Sequence, residues 1–288
     1  MVMKDKWWMI QDPQKIQEAR IANNNQKKKL LKKKLYIFDQ DGTIYINFQL
    51  IEGAKDFIEF LNKNDKKIVF ISNNSSISTS TYKENLTELL KMNITKDHIY
   101  NSTLATIQYL KSKNISKVYA LGTKDFIDEI CSYDIKIDDK KPEMIVVAFD
   151  TTLTYDKLKK ACLFIRSGIE YIATHPDKVC PTKEGFIPDT GSFISLIETA
   201  TDVKPKDIIG KPNPNLINFL LEKMNLKPQE AIIFGDRLYT DIKMGKHCNL
   251  TTALVLSGES KIKDIKKYEI EPDFVFTNLK EAYNLLKK

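Results

Sequence analysis

The sequence is poor in the residues that staple or metallate small proteins. Its four cysteines, Cys131, Cys162, Cys180 and Cys248, lie 31, 18 and 68 positions apart with no CxxC pair, and none of the three histidines stands at zinc-finger spacing from them. That argues against a disulfide framework or a structural zinc site and for reduced, packed thiols. Long apolar runs are also missing: no stretch reaches the roughly 18 apolar residues that span a bilayer. The apolar cluster nearest the start, Trp7 to Ile10, is too short for a signal peptide. The expected setting is therefore the cytoplasm, with no membrane span.

An excess of one charge is absent from most of the chain. The net charge of +7 over 288 residues comes from the first 34, which hold ten Lys or Arg against three Asp or Glu; thirty-five of each remain. A basic leader over residues 1–33, flexible or helical and ending in KKKLLKKK, is thus expected before a neutral body. No downstream segment interleaves aromatics with basic residues, so no nucleic-acid partner is expected. With 42% apolar residues, the body can bury a sizeable core.

What is present is alternation. Short apolar runs (LYIF, KIVFIS, KVYALG, MIVVAF, IEYIA, DIIG, AIIFG, TALVL) are mostly followed by longer amphipathic segments. This pattern predicts parallel strands joined by helical crossovers, an α/β protein. In such sheets ligands bind beyond the carboxyl ends of the strands, so polar residues just after each run carry the interest.

Four such places stand out. LYIFDQDGTI ends a buried-strand pattern in Asp39 and Asp41, with Gly42 supplying a turn. Two acids that close repel; a turn can tolerate them, but a divalent cation or a shared proton gives them a reason. KIVFIS ends in Ser72, Asn73, Asn74 and Ser75, which can cap a helix or present a hydroxyl and N–H groups to an anion. DIIGKPNPNL puts Lys211 where a helix should begin, a position that opposes the helix dipole unless the lysine faces an anion. AIIFGDRLYTDIKMG repeats the strand-then-acid pattern with Asp236, followed five positions later by Asp241, which can cap the next helix or hold a metal-bound water. Each has an ordinary structural reading as turn, cap or surface lysine. Together they place several acids, a hydroxyl and a lysine at strand ends.

In order and content, DQDGT, the Ser72-Asn73-Asn74 strand end, Lys211 in GKPNP and GDRLYTD resemble the four motifs of the haloacid dehalogenase (HAD) superfamily phosphatases. The segments ATHPD (173–177) and PTKEGFIPDTGSF (181–193), between the second and third motifs, resemble the type IIA capped, NagD-like or p-nitrophenylphosphatase-like branch. The resemblance implies a Rossmann-like parallel-sheet core over 34–104 and 189–288, with a smaller α/β cap inserted over 105–188. It implies a hydrolase that cleaves a small phosphorylated metabolite through an aspartyl-phosphate. Asp39 would be the nucleophile and Asp41 the general acid and base. Ser72, Asn73 and Lys211 would bind the phosphate. Mg²⁺ would be held by Asp39, the backbone carbonyl of Asp41 and Asp236, with Asp241 as an outer partner. In the cap, His175 and Asp177 are the expected contacts to the leaving group. One departure is Gln40, where the family usually has an apolar residue; strand alternation should turn it away from the nucleophile.

Sugar phosphates, glycerol phosphate or phosphoglycolate, nucleoside monophosphates and aryl phosphates all stay open as substrates. The oligomeric state also stays open, with a homodimer through the cap as the arrangement implied by the resemblance. The competing readings are a receiver-type phosphate-accepting module and a non-catalytic phosphate-binding protein on the same fold. A receiver is far shorter and has neither a cap nor a GDxxxTD element. A silent relative would normally lack an acid or the lysine.

Overall fold

Strand β1 (Leu35–Asp39) carries alternating faces that are both buried, as expected of a central parallel strand. A computed structural model describes residues 24–182 and 184–287. Most of the basic leader expected over 1–33 lies outside the described residues; its last part, 24–31, forms helix α1. After β1 come a short hairpin of β2 (Tyr45–Ile46) and β3 (Gln49–Leu50), then α2 (Ala54–Lys63) and β4 (Lys67–Ser72). Next are α3 (Thr79–Leu90), β5 (Ile99–Asn101) and α4 (Ser102–Ser112).

A second α/β unit begins with β6 (Lys117–Leu121), α5 (Lys124–Cys131), β7 (Lys136–Ile137) and β8 (Met144–Val147). It continues through α6 (Tyr155–Arg166), β9 (Tyr171–Ala173), the hairpin of β10 (Val179–Thr182) and β11 (Gly185–Pro188), α7 (Thr190–Thr201) and β12 (Asp207–Ile208). The chain then returns through α8 (Asn215–Met224), β13 (Ala231–Gly235), α9 (Lys243–His247) and β14 (Thr251–Val255) to α10 (Asp264–Tyr268), β15 (Phe274–Phe276) and α11 (Leu279–Lys287).

Two parallel sheets result. The core sheet has the order β15-β14-β13-β1-β4-β5 and the cap sheet the order β12-β9-β8-β6-β7. In the core, the chain moves from β1 to β4 and β5 on one side and only later fills the other side with β13, so the strand order reverses at β1. The crevice beyond such a reversal is where ligands bind. The cap sheet includes β12, beyond residue 188 where the sequence reading ended the insertion. The run DIIG predicts a strand, but nothing local says which sheet it joins; β12 is held in the cap by parallel pairing of Asp207 and Ile208 with Ile172 and Ala173.

Period-two alternation divides β1 between two cores. Leu35 and Ile37 pack with α8 through Leu216, Ile217 and Leu220, in a cluster that continues into the cap through Val118, Met144 and Ile172. Tyr36 and Phe38 face α2, whose Ala54, Phe57, Ile58 and Leu61 follow helical spacing and are buried. Phe234 of β13 stacks on Phe38 at 5.1 Å and meets the edge of Phe57 at 5.5 Å. These contacts fix β1 against β13, the two strands that deliver Asp39 and Asp236. Phe234→Ala should therefore cost about 3–5 kcal/mol in denaturant unfolding, from lost transfer energy and the cavity left behind.

Helix α1 is docked on the core rather than free. Leu30 is buried, and its carbonyl accepts the Tyr36 hydroxyl at 2.8 Å. Asp273 accepts from Lys29 at 2.9 Å, from Lys246 at 3.0 Å, and from the Thr252 N–H and hydroxyl at 3.0 and 2.9 Å. Burial opposes its ionisation, but the hydrogen bonds from Lys29, Thr252 and Lys246 hold its pKa well below the usual carboxylate range. A depressed folded-state pKa gives stability that is present above the unfolded value of about 3.9 and lost as pH falls toward the folded value. Asp273→Asn should thus lower stability by about 1 kcal/mol at neutral pH, and the gap to wild type should close as unfolding is measured progressively below about pH 4.

Candidate active site

Three neighbouring core strands end at one place. Asp39 is the last residue of β1, Ser72 the last of β4, and Asp236 follows β13 directly. Lys211 enters from the segment that returns from the cap. A π-helical turn over Leu238–Ile242 brings Asp241 back beneath it. Asp39, Ser72, Asn73, Lys211, Asp236 and Asp241 are all buried. Asp41 is exposed, with its side chain at the cavity.

Lys211 Nζ donates to Asp39 Oδ1 and, at 2.7 Å, to Asp241 Oδ1. Its backbone is clamped by one side chain: the Lys211 N–H donates to Asn73 Oδ1 at 2.8 Å, while Asn73 Nδ2 donates to the Lys211 carbonyl at 3.1 Å. The Asn73 carbonyl in turn accepts the Ser102 hydroxyl. Asn73 thus spends its side chain on holding the lysine in place. Ser72 Oγ accepts the Asn74 N–H at 3.1 Å and lies 3.3 Å from the Tyr82 hydroxyl.

Burial raises the pKa of Asp39 well above its ordinary value, with Asp241 adding to the effect and Lys211 opposing it. Burial, reinforced by Asp241, pushes Asp236 up to about 7. Asp41 is raised by desolvation, offset by Arg237 and Lys211. For Lys211, burial alone would lower the pKa; Asp241 and Asp39 overturn that and keep the ammonium charged.

The acids fit a divalent cation. Asp39, Asp236 and Asp241 each bring a carboxylate oxygen within 4.8 Å of the others. Three carboxylates against one ammonium leave two uncompensated negative charges when all are ionised. Asp236 Oδ2 accepts the Glu259 N–H at 2.7 Å, while its buried Oδ1 has no partner among the described residues. Hard oxygen donors of this kind suit a small divalent ion. Gly42, at φ 82°, and Gly258 leave the room: a Cβ on Gly42 would lie 2.5 Å from Asp236 Oδ2, and one on Gly258 would collide with the same atom.

A cavity of about 380 Å³ opens above these groups between core and cap, lined among others by Asp39, Asp41, Ser72, Asn73, Asp177 and Lys211. Asp177 reaches the core, accepting from Asn73 Nδ2 at 3.2 Å and from Arg237 at 3.4 Å. His175 does not line the cavity. It is fully buried, with Nε2 2.9 Å from Asp189 Oδ1 and Nδ1 2.9 Å from the Thr174 hydroxyl. The sequence reading set it at the leaving group because a polar Pro-containing loop gives no sign that one of its residues is covered on all sides. His175, Asp177 and Asp189 also lie close enough together to hold a metal ion, but the ring nitrogens of His175 are already engaged by Thr174 and Asp189. Gln40 is buried, and its Oε1 accepts the Tyr45 hydroxyl at 3.1 Å.

Sequence reasoning passed over two cavity residues. Arg237, inside GDRLYTD, pairs with Asp177 and, at 2.9 Å, with Glu259. Its signal was a buried-strand motif carrying a cation between two acids. Asp189, in PDTGSF, reads as a helix cap, and it is one; that role hid its place in the cavity wall.

The family model described as haloacid dehalogenase-like hydrolase matches residues 36–136, and a HAD-hydrolase-like model matches 208–282. The chain is 32% identical over 257 residues to the acid sugar phosphatase of Staphylococcus aureus, covering 88% of this chain and 98% of that protein. A 4-nitrophenylphosphatase from Thermotoga maritima superposes with a TM-score of 0.86 at 40% identity, covering 90% of this chain and 99% of that one. NagD from E. coli K-12 superposes with a TM-score of 0.79 at 29% identity, covering 86% and 98%.

Because Lys211 is the ammonium set between two buried carboxylates, removing it should destabilise the metal-free protein. Lys211→Met, unfolded by denaturant in the presence of a chelator, should lose about 3 kcal/mol, the scale expected when one member of a buried ion pair is deleted.

Proposed function

The chain belongs to the haloacid dehalogenase-like hydrolase family, in its NagD-like capped branch, and on that premise we propose that it hydrolyses small phosphate monoesters through an aspartyl-phosphate with Mg²⁺ as cofactor. The observation that carries the reading is the convergence of Asp39, Asp41, Ser72 and Lys211 on one cavity, backed by Asp236 and Asp241.

A phosphoryl group seated over Asp39 spreads negative charge over its equatorial oxygens as it transfers. The Lys211 ammonium, already bonded to Asp39, and the Ser72 hydroxyl on the same cavity would hold those oxygens. An Asp39 oxygen attacks phosphorus and the ester P–O bond breaks; the leaving oxygen takes its proton from Asp41. Water then attacks the phosphorus of the aspartyl-phosphate, its proton passing to Asp41, and the bond to Asp39 breaks to release inorganic phosphate. Asp39, the Asp41 carbonyl and Asp236 would hold Mg²⁺, with Asp241 supporting them. When bound, the ion supplies positive charge that offsets the clustered carboxylates and the incoming phosphate.

The cavity volume of about 380 Å³ suits a small metabolite rather than a polymer. Sugar phosphates and aryl phosphates are the substrate classes that the names of relatives support.

Phosphate release from a panel of these esters should require Mg²⁺, stop with chelator and resume when Mg²⁺ is restored. Asp39→Asn should reduce kcat by at least about 10³-fold, and Asp41→Asn by about 10²–10⁴-fold. Turnover undiminished in Asp39→Asn, or no release from any ester by folded wild-type protein, would overturn the reading.

A further inference from the structure

The charged residues of the cavity wall are unevenly matched. Its cations, Lys211 and Arg237, each lie within ion-pair distance of two carboxylates, Asp39 and Asp241 for the first and Asp177 and Glu259 for the second, although Arg237 Nε makes no hydrogen bond among the described residues. Asp189 is in the opposite condition. It is only 4% exposed, and Oδ1 accepts from the Thr190 N–H at 2.5 Å, from the Thr190 hydroxyl at 3.2 Å and from His175 Nε2 at 2.9 Å. Oδ2 accepts from no donor among the described residues, although the residue lines the cavity. Three donors therefore fix the carboxylate by one oxygen and leave the other for whatever enters.

The support behind Asp189 is directional. A carboxylate only accepts, so His175 Nε2 carries the proton, and in a neutral ring Nδ1 accepts from the Thr174 hydroxyl. Thr174 Oγ1 lies 3.1 Å from Ser75 Oγ, which accepts the Phe149 N–H at 3.0 Å. All of these groups are buried. The chain of hydrogen bonds runs from the core loop after β4 through the cap to Asp189. Beside them the wall carries Tyr45 and Phe48 stacked at 5.6 Å with Ile77, Val179 and Pro181, and the uncharged polar side chains of Asn47, Asn74 and Thr182. Cys180, on the same wall, reports the local field: burial, then Asp189 and Asp41, push its thiol up to about 12, so a new anion is disfavoured there.

We infer that Asp189 is a specificity-determining residue that presents its outer carboxylate oxygen to the leaving group. The cavity then accepts phosphate esters of neutral or cationic hydroxyl compounds and rejects those that carry a second anion. His175 is its positioning residue. This rests on the phosphatase reading above. Rejection follows from bringing a like charge into a wall with no free cation among the described residues, and selection from a hydrogen bond or ion pair to the open oxygen.

Three esters of matched size separate these effects: 2-aminoethyl phosphate, 2-hydroxyethyl phosphate and carboxymethyl phosphate, with 4-nitrophenyl phosphate as reference. With Mg²⁺ and the full chain, kcat/KM for the first two should exceed that for the third by at least about tenfold. Asp189→Asn should narrow that gap by at least about fivefold, mainly through a lower KM for carboxymethyl phosphate. Asp189→Ser, which keeps a helix cap without the charge, should do the same. His175→Gln, which retains a donor toward Asp189, should keep the preference that His175→Ala loses. Equal turnover of the three esters by wild type, or wild-type preference in both folded Asp189 variants, would overturn the inference and leave the phosphatase reading intact. Failure to hydrolyse any of the four esters would overturn both.

Discussion

The ammonium of Lys211, buried between Asp39 and Asp241, is the interaction around which the site is arranged. Burying a lysine alone would drive off its proton, and burying two carboxylates alone would neutralise them. Between Asp39 and Asp241 the ammonium stays charged, at the cost of geometry that every adjoining segment must respect. The Asn73 side chain meets that demand by bonding both the N–H and the carbonyl of Lys211, while Ser102 holds the Asn73 carbonyl. The ends of β1 and β4, the loop after β13 and the segment returning from the cap are thus tied through one cation and one amide.

The same polar groups set the relation of cap to core. Asp177 bonds Asn73 on one side and Arg237 on the other, and Arg237 continues to Glu259, whose own N–H donates to Asp236. At the far side of the cap, Glu129 accepts the Thr79 N–H at the start of α3 at 3.0 Å. The apolar cluster that runs from Ile37 and Val69 to Val118 and Met144 is not interrupted between the two sheets. A shift of the cap would therefore disturb the clamp on Lys211 as well as the cavity walls, so packing and electrostatics constrain the same motion.

How much of this could be read from the sequence follows from burial. Strands β1, β4 and β13 are covered on both faces, so each appears as a continuous apolar run whose end is marked by a polar residue. That made Asp39, Ser72 and Asp236 visible. Strand β7 has two residues and takes its structure from neighbours, which no local period encodes, whereas β12 was visible as the run DIIG but not as a member of the cap sheet. His175 and Asp189 failed differently. A Thr-His-Pro-Asp loop and an Asp-Thr helix start have ordinary local explanations, and only tertiary contact makes one a buried support and the other part of a cavity wall. Arg237 lay inside a motif read for its acids, where a cation between them drew no separate attention.

Charge conservation links these details. With Lys211 shared by Asp39 and Asp241, and Arg237 by Asp177 and Glu259, the cavity holds no spare positive side chain among the described residues. An incoming phosphoryl group must then draw Lys211 partly away from its carboxylates, which raises the negative charge left on Asp39, Asp236 and Asp241. Further positive charge beside the acids, where Asp236 Oδ1 has no partner among the described residues, would offset it. A second anion on the leaving group would sit on the cap side, against Asp189 and away from that compensation. The clustered acids of the cavity floor and the carboxylate of Asp189 in its wall are therefore one constraint seen from two sides.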